Sequence, residues 1–132
     1  MKLGNLEKME LSREKEFVQF YHYDARNLEF EKEQGKPETQ INVQLQIISN
    51  SAELNNSQLQ LHLSAIIVID DYVLSAGLSQ LSQIEGRVIE SQEDFSQEEM
   101  QELAYPLFDL LQRLTYEVTE VALDKPGLKL EF

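Results

Sequence analysis

Within residues 40–48, amide and apolar side chains alternate from Gln40 to Ile47. The apolar positions are Ile41, Val43, Leu45 and Ile47. In a β-strand, successive side chains point to opposite faces, so a period of two places all four on one face of a sheet. We therefore predict a strand here, with one face toward the core, followed by a turn at residues 50–57.

A second alternating segment spans residues 58–69. One face of this predicted strand is apolar throughout: Leu59, Leu61, Leu63, Ala65, Ile67 and Ile69. The other face begins with polar side chains and ends with Ile66 and Val68. The end of the strand should therefore be covered on both faces, and another subunit is one candidate for that cover. Asp70 and Asp71 then predict a hairpin turn.

Residues 72–90 fit two patterns. Tyr72, Leu74 and Ala76 alternate as in a strand, whereas other apolar positions follow helical spacing. Gly77 and Gly86 each disfavour a helix by about 1 kcal/mol relative to alanine. We favour a strand with a bulge near residues 79–82.

The segment before these strands is rich in aromatic residues. Phe17, Tyr21 and Tyr23 are evenly spaced, as are Leu28 and Phe30. This spacing predicts one long strand over residues 17–30, bulged near residues 24–27. A polar loop should follow at residues 31–39. Residues 1–12 are weakly patterned and are interpreted as a loose arm or a short edge strand.

The clearest helix signal covers residues 96–123. Ser96 and Glu99 form a capping box, flanked by Phe95 and Met100 at the positions of a hydrophobic staple. An apolar stripe follows at steps of three and four: Met100, Leu103, Leu107, Leu110, Leu111, Leu114, Val118 and Val121. Pro106 should kink or divide this helix, and residues 124–127 should end it.

Strands followed by a long helix predict an α+β domain, an antiparallel sheet with the helix packed on one face. The 132 residues should form a single domain. Its predicted parts are a loose N-terminal arm (1–16), a sheet (17–90), a helix (96–123) and an extended tail (124–132).

The composition excludes several classes of function. The net charge is −13, so the chain should repel nucleic acid and anionic lipid. Its longest apolar run, Ala65–Ile69, is too short to span a membrane, and the N-terminus lacks the apolar stretch of a secretory signal. We therefore expect a cytoplasmic protein without membrane insertion. The absence of cysteine excludes a thiolate nucleophile and a cysteine zinc site.

Candidate catalytic groups are few. His22 and Asp24 would share a strand face, but one histidine and one acid make an incomplete metal set. His62 lies in a polar row and is interpreted as a sheet-surface residue. The acidic pairs Asp70–Asp71 and Glu98–Glu99 are explained by a turn and a helix N-terminus. No phosphate-binding loop or hydrolase motif occurs, so we predict no enzyme activity, metal or cofactor.

Apolar residues are in excess of what one helix over one sheet can cover. We therefore predict a homo-oligomer, either a dimer or a tetramer. The candidate polypeptide-binding or oligomer-interface residues are Phe17, Phe20, Tyr21, Ile66, Val68, Phe108 and Leu111.

Three stretches resemble the bacterial export chaperone SecB. Phe17 to Glu31 looks like its first strand, Gln40 to Gln83 like its long hairpin, and Leu103 to Phe108 with Pro126 to Phe132 like its proline-bearing helix and following loop. The whole chain looks closer to an uncharacterised family of Gram-positive bacteria with this fold. The resemblance implies a four-stranded antiparallel sheet, a strand at residues 72–90, and oligomers formed through strand edges and helices.

The resemblance also implies ATP-independent binding of unfolded or extended polypeptide in apolar grooves. Two departures matter. The chain ends at Phe132, where SecB continues into a helix that helps to wall its groove. The acids through which SecB docks its export motor are missing at Leu74–Gly77 and at Asn27, although Glu31 matches one of them. Motor docking is therefore not expected.

Three hypotheses follow. The first is a SecB-like, non-enzymatic binder of extended polypeptide. The second is a structural or regulatory subunit with one folded protein partner. The third is an enzyme or small-ligand protein that uses His22 and nearby carboxylates.

Overall fold

The computed structural model describes residues 10–132. The elements within this range are β1 (Glu10–Arg13), β2 (Phe17–Ala25), α1 (Leu28–Gln34), β3 (Gln40–Ser51), β4 (Asn56–Ile69), β5 (Tyr72–Glu85) and α2 (Gln97–Leu123). A single 3₁₀ turn, Gln92–Asp94, precedes α2. The predicted α+β class, with an antiparallel sheet and a long C-terminal helix, is confirmed.

The sheet has five strands in place of the predicted four. β5 pairs with β4, which pairs with β3. On its other side, β5 pairs first with β2 and then with β1, which follow each other along the same edge. β1 agrees with the short edge strand that is one of the two interpretations of residues 1–12, although it extends to Arg13 within the predicted arm; residues 1–9 lie outside the described residues.

The β4–β5 hairpin is regular along its whole length. Its register runs without interruption from Ile69 opposite Tyr72 to Asn56 opposite Glu85. Asp70, at φ +48°, makes the turn between the strands, as the two aspartates predict. The bulge predicted near residues 79–82 is therefore wrong, while the strand assignment is right.

The predicted strand over residues 17–30 is wrong in its second half. β2 ends at Ala25, and α1 follows because the Asn27 side chain accepts a hydrogen bond from the Phe30 amide. The predicted bulge at residues 24–27 lies instead between Val18 and Phe20. No residue of α1 is buried.

The core lies between α2 and one face of the sheet, here called the inner face. α2 contacts mainly β4 and β5, and its buried leucines Leu103, Leu107 and Leu111 pack against the predicted apolar face of β4. The Ser96–Glu99 capping box begins the helix as predicted. α2 continues through Pro106 without division; the kink stays a prediction.

The buried stripe of α2 differs from the prediction in its last turns. Val121 is 81% exposed, whereas Thr115 and Thr119 are fully buried. Steps of four from Leu111 lead to these threonines, and their hydroxyls form hydrogen bonds that make burial tolerable. Within residues 10–132, no helix is long and apolar enough to cross a membrane.

Candidate functional site

β3 lies at an edge of the sheet. Within the described part of the chain it pairs only with β4, so the backbone groups along its other side have no strand partner. We call this side the β3 edge. β3 has 12 residues and contains no charged residue, proline or glycine. Its bulge, between Ile47 and Ser49, is near its end and leaves Gln40–Ile47 regular.

A half-buried apolar row runs along β3 on the inner face. It consists of Ile41, Val43, Leu45 and Ile47, all at the margin of the core. The row is only partly covered because α2 lies above β4 and β5. The β3 edge therefore combines free backbone hydrogen-bonding groups with a row of aliphatic side chains.

The chain itself closes the flank of α2 that faces β2. The Tyr21 hydroxyl donates a hydrogen bond to Thr115 Oγ1 at 2.9 Å. Burial raises the pKa of this hydroxyl. The C-terminal tail lies along the same flank: the Leu128 amide donates to Thr119 Oγ1 at 2.7 Å, and the Phe108 and Phe132 rings meet at 5.0 Å. This flank is therefore occupied.

The opposite flank of α2 is less covered. At 100° per residue, Leu110 and Leu114 lie on the side of the helix away from Thr115 and Thr119, which bind β2 and the tail. Both leucines are half-buried and pack at the margin of the core. α2 thus presents apolar side chains on its β3 side and hydrogen-bonded ones on its β2 side.

The sheet face turned away from α2 is here called the outer face. Phe17, Phe20, Ile66 and Val68 lie on it, because their pairing partners alternate with the buried inner positions. Phe17 is 61% exposed and Phe20 43% exposed, whereas Ile66 and Val68 are half-buried. Strand alternation alone leaves these four side chains on one surface.

The other three predicted site residues lie on the helix side. Tyr21 and Phe108 are half-buried and engaged as described above. The prediction of Leu111 as a binding or interface residue is corrected. Its exposure is 0% and it belongs to the core, so it is not available to a partner. Sequence periodicity places Leu111 on the apolar stripe but does not distinguish the centre of that stripe from its margin.

The histidines do not form a catalytic cluster. His22 lies opposite Ser75, with its ring 5.2 Å from that of Phe20, and His62 lies opposite Ser79 on the next strand pair. No group of three or more His, Cys, Asp or Glu residues among residues 10–132 is placed to hold a metal ion. His22 and Asp24 share the outer face of β2, as the sequence predicts, opposite Ser75 and Val73 of β5.

The acidic pairs have local structural roles. The Arg26 side chain donates a hydrogen bond to the Asp70 carbonyl of the turn. It also forms an ion pair with Glu31, and this pair lowers the pKa of the Glu31 carboxyl. The Arg87 guanidinium donates to Glu99 at 2.5 Å and lowers the pKa of that carboxyl. The carboxylates of Glu31 and Glu99 are stabilised as anions, which suits ion pairs and a helix cap rather than proton transfer.

One groove lies at the hairpin end of the sheet. It has a volume of about 530 Å³ and is lined by residues of the β4–β5 turn and of the loop after α2. The Tyr23 and Tyr72 rings stack there with centroids 4.9 Å apart. Neither histidine lines this groove, so it brings together no acid–base pair with His22 or His62.

The site prediction missed the β3 edge. The uncharged alternating run of residues 40–48 is visible in the sequence, but the position of the strand at the edge of the sheet is not. Only the order of the strands makes that run a free edge.

Sequence comparison assigns the chain to a family. The profile of a family described as "Protein of unknown function (DUF1149)" matches residues 9–132. The chain belongs to the DUF1149 family. The expectation that the chain belongs to a family of unknown function is confirmed. No curated protein matches this DUF1149 chain significantly.

Two solved structures are similar to this DUF1149 chain. A protein of unknown function from Streptococcus agalactiae is 47% identical, with a TM-score of 0.91, over 96% of this chain and 100% of that one. A SecB-like chaperone of Mycobacterium tuberculosis, in complex with an antitoxin peptide, is 12% identical, with a TM-score of 0.44, over 92% of this chain and 86% of that one. The second likeness is too distant to carry an argument.

Proposed function

We propose that this protein is a non-enzymatic binding protein that holds extended polypeptide along the β3 edge without ATP. A bound segment adds a strand beside β3, and its backbone pairs with the free N–H and C=O groups of that strand. The observation that carries the proposal is a 12-residue edge strand without a single charge.

Natural sheets protect their edges against such pairing. The usual devices are charged side chains, proline, bulges and short strands. The opposite edge of this sheet has several of them: β1 is four residues long and carries Glu10 and Arg13, and β2 carries Asp24 and a bulge. β3 lacks charge and proline and is regular over Gln40–Ile47, so it is open to an added strand.

The apolar row of β3 supplies contacts for side chains. Alternate residues of an added strand would continue the row of Ile41, Val43, Leu45 and Ile47 toward the flank of α2 that carries Leu110 and Leu114. The other residues of the segment would point away from the helix. The segment bound best should therefore alternate apolar residues with polar ones.

The charge of the protein restricts the ligand further. A net charge of −13 repels acidic segments and attracts basic ones, while β3 itself repels neither. We expect preference for extended segments that are apolar on one face and neutral or basic on the other.

A pair of synthetic peptides tests the backbone contribution. The first alternates valine with lysine and threonine. The second has the same sequence, with N-methyl groups on alternate backbone nitrogens so that one edge cannot donate hydrogen bonds. Fluorescence anisotropy should show saturable binding of the first peptide and at least about tenfold weaker binding of the second, since several backbone hydrogen bonds are lost. Equal binding of both peptides would contradict strand addition.

A matched pair of variants tests the location. Val43→Lys places a charge on the inner side of the β3 edge, a device that blocks strand pairing. Gln101→Lys adds the same charge at an exposed position of α2 that lies away from Leu110 and Leu114. Peptide affinity should fall about tenfold or more for Val43→Lys and stay unchanged for Gln101→Lys, with far-UV circular dichroism confirming that both variants fold. Equal affinities for the two variants would place the peptide elsewhere.

Aggregation assays separate this function from its rival. Suppression of aggregation of several unrelated unfolding proteins is expected of a polypeptide binder. Indifference to all of them, together with recovery of one stoichiometric folded partner, would support the structural or regulatory subunit instead.

A further inference from the structure

The outer face is almost free of charge over its three long strands, although the chain is not. β3, β4 and β5 have 12, 14 and 14 residues and together contain one charged residue, Glu85, at the end of β5. In the whole chain 27% of residues are charged. The alternate residues of each strand that face α2 are mostly apolar because they meet the core. The residues on the outer face have no such reason to exclude charge.

The outer side chains of β3, β4 and β5 are mainly amides, hydroxyls and a few apolar groups, together with His62. The acids Glu10 on β1 and Asp24 on β2 lie at the margin of the face, on the β1–β2 edge. Exposed amides and hydroxyls on this face include Gln40, Asn42, Gln44 and Gln46 on β3, and Gln58 and Ser64 on β4. Strand propensity does not account for this choice, because lysine and glutamate are only mildly disfavoured in strands, while asparagine is disfavoured as well. Depletion of charge is instead a mark of the central part of protein interfaces.

On the β2 side of the outer face, a glycine makes room for an aromatic ring. Gly77 lies opposite Phe20, and the Phe20 ring lies directly over it: a Cβ at this position would be 2.5 Å from the ring. The ring can therefore lie close to the backbone of β5. Aromatic side chains on a surface with little charge are typical of protein interfaces.

We propose that the outer face docks against the same face of a second copy of this chain. In a two-fold symmetric interface, each side chain near the axis meets its own copy. Like charges would repel there, whereas amides and hydroxyls both donate and accept hydrogen bonds and can satisfy their own copies. The composition of the outer face is therefore self-complementary.

The charge of the chain opposes self-association least through the outer face. Two copies with a net charge of −13 each repel one another, and the acids of α2 lie on the far side of the sheet from the outer face. Approach through the outer face places both sheets between these helices, at a distance beyond the Debye length of about 8 Å at physiological ionic strength. An association through the helix surfaces would bring the acids together.

The available area suits a stable dimer. The face is four strands wide, because β1 and β2 share one edge of β5. With strands of up to 14 residues, it measures about 19 Å by 45 Å, roughly 850 Å² per copy at standard strand spacing and rise. Two such faces bury about 1,700 Å², the size of a standard specific interface.

Sedimentation equilibrium of the full chain tests this dimer. The wild-type chain should be dimeric at micromolar concentrations. Gln60→Glu, which adds a charge to the outer face at nearly constant size, should weaken association about tenfold or more, as should loss of the Phe20 ring in Phe20→Ala. Gln101→Glu adds the same charge on exposed helix surface and should leave association unchanged. A monomeric wild-type chain, or equal effects of the two glutamates, would overturn the proposal.

Cross-linking locates the interface without disturbing it. The chain contains no cysteine, so a single introduced thiol is unique. Ser64→Cys should form cross-linked dimers with a short bismaleimide, whereas Gln101→Cys should not. Cross-linking through position 101 alone would place the interface on the helix side and overturn the proposal. These variants leave the β3 row intact, so loss of dimer and loss of peptide binding are separately measurable.

Discussion

Two buried serines provide a sharp test of the packing described above. Ser57 is fully buried; its hydroxyl donates to the Arg87 carbonyl at 3.0 Å and accepts from the Ile89 amide at 2.7 Å. Ser82 is 4% exposed, and its hydroxyl has no hydrogen-bond partner among the described residues. The two serines are on the inner face of neighbouring strands, so alanine substitution removes the same atom from comparable surroundings.

The expected effects on stability differ in size and in sign. Ser57→Ala removes two hydrogen bonds and leaves the buried Ile89 amide without its acceptor, which should lower the free energy of unfolding by about 2 kcal/mol. Ser82→Ala removes a buried hydroxyl that has no partner, so it should leave the free energy of unfolding unchanged or raise it by up to about 1 kcal/mol.

Urea denaturation followed by far-UV circular dichroism measures both variants. Because an oligomer is stabilised by mass action, all samples must have the same protein concentration. The denaturation midpoint should fall for Ser57→Ala and not for Ser82→Ala, at unchanged slope. Equal losses for both variants would refute the hydrogen-bond assignment of Ser57.

Two further predictions concern α2. Thr119→Val removes the hydroxyl that accepts a hydrogen bond from the Leu128 amide. It should lower the free energy of unfolding by about 1–2 kcal/mol and speed hydrogen exchange of that amide. Unchanged exchange would contradict the anchoring of the tail. The pair of Arg87 and Glu99 should stabilise the fold fully above the ordinary carboxyl pKa of 4.5 and lose this effect as pH falls through the lowered pKa of Glu99. Thermal melts of Glu99→Gln should therefore show less loss of stability on acidification than the wild-type chain, and parallel pH profiles would refute the role of the pair.

The sequence predicts β3, β4 and the start of α2 well, for local reasons. Ile41 to Ile47 alternate because one face of an edge strand meets the core, and a shift by one residue would expose the whole row. Ser96 and Glu99 mark the helix start because capping requires specific side chains at a specific spacing. Both signals depend only on residues close in the chain.

The sequence pattern does not predict α1, because this helix buries none of its side chains. Its seven residues carry no apolar stripe, and the alternation of Leu28 and Phe30 resembles a strand. The Asn27 cap is the one local signal for it.

The candidate site depends on contacts between distant segments. Residues of β3 and β5 flank β4 only in the folded sheet, so the neutrality of the outer face and the freedom of the β3 edge become visible once the strand order is known. Leu111 illustrates the same limit: periodicity places it on the stripe, and packing places it at the centre.

Hydrogen exchange at the β3 edge tests polypeptide binding most directly. In the free protein, the amides of β3 that are not bonded to β4 should exchange rapidly, because they face solvent. Addition of the alternating peptide should slow exchange at these amides while leaving those of β2 unchanged. Protection confined to other elements, or no protection at saturating peptide, would contradict binding by strand addition to β3.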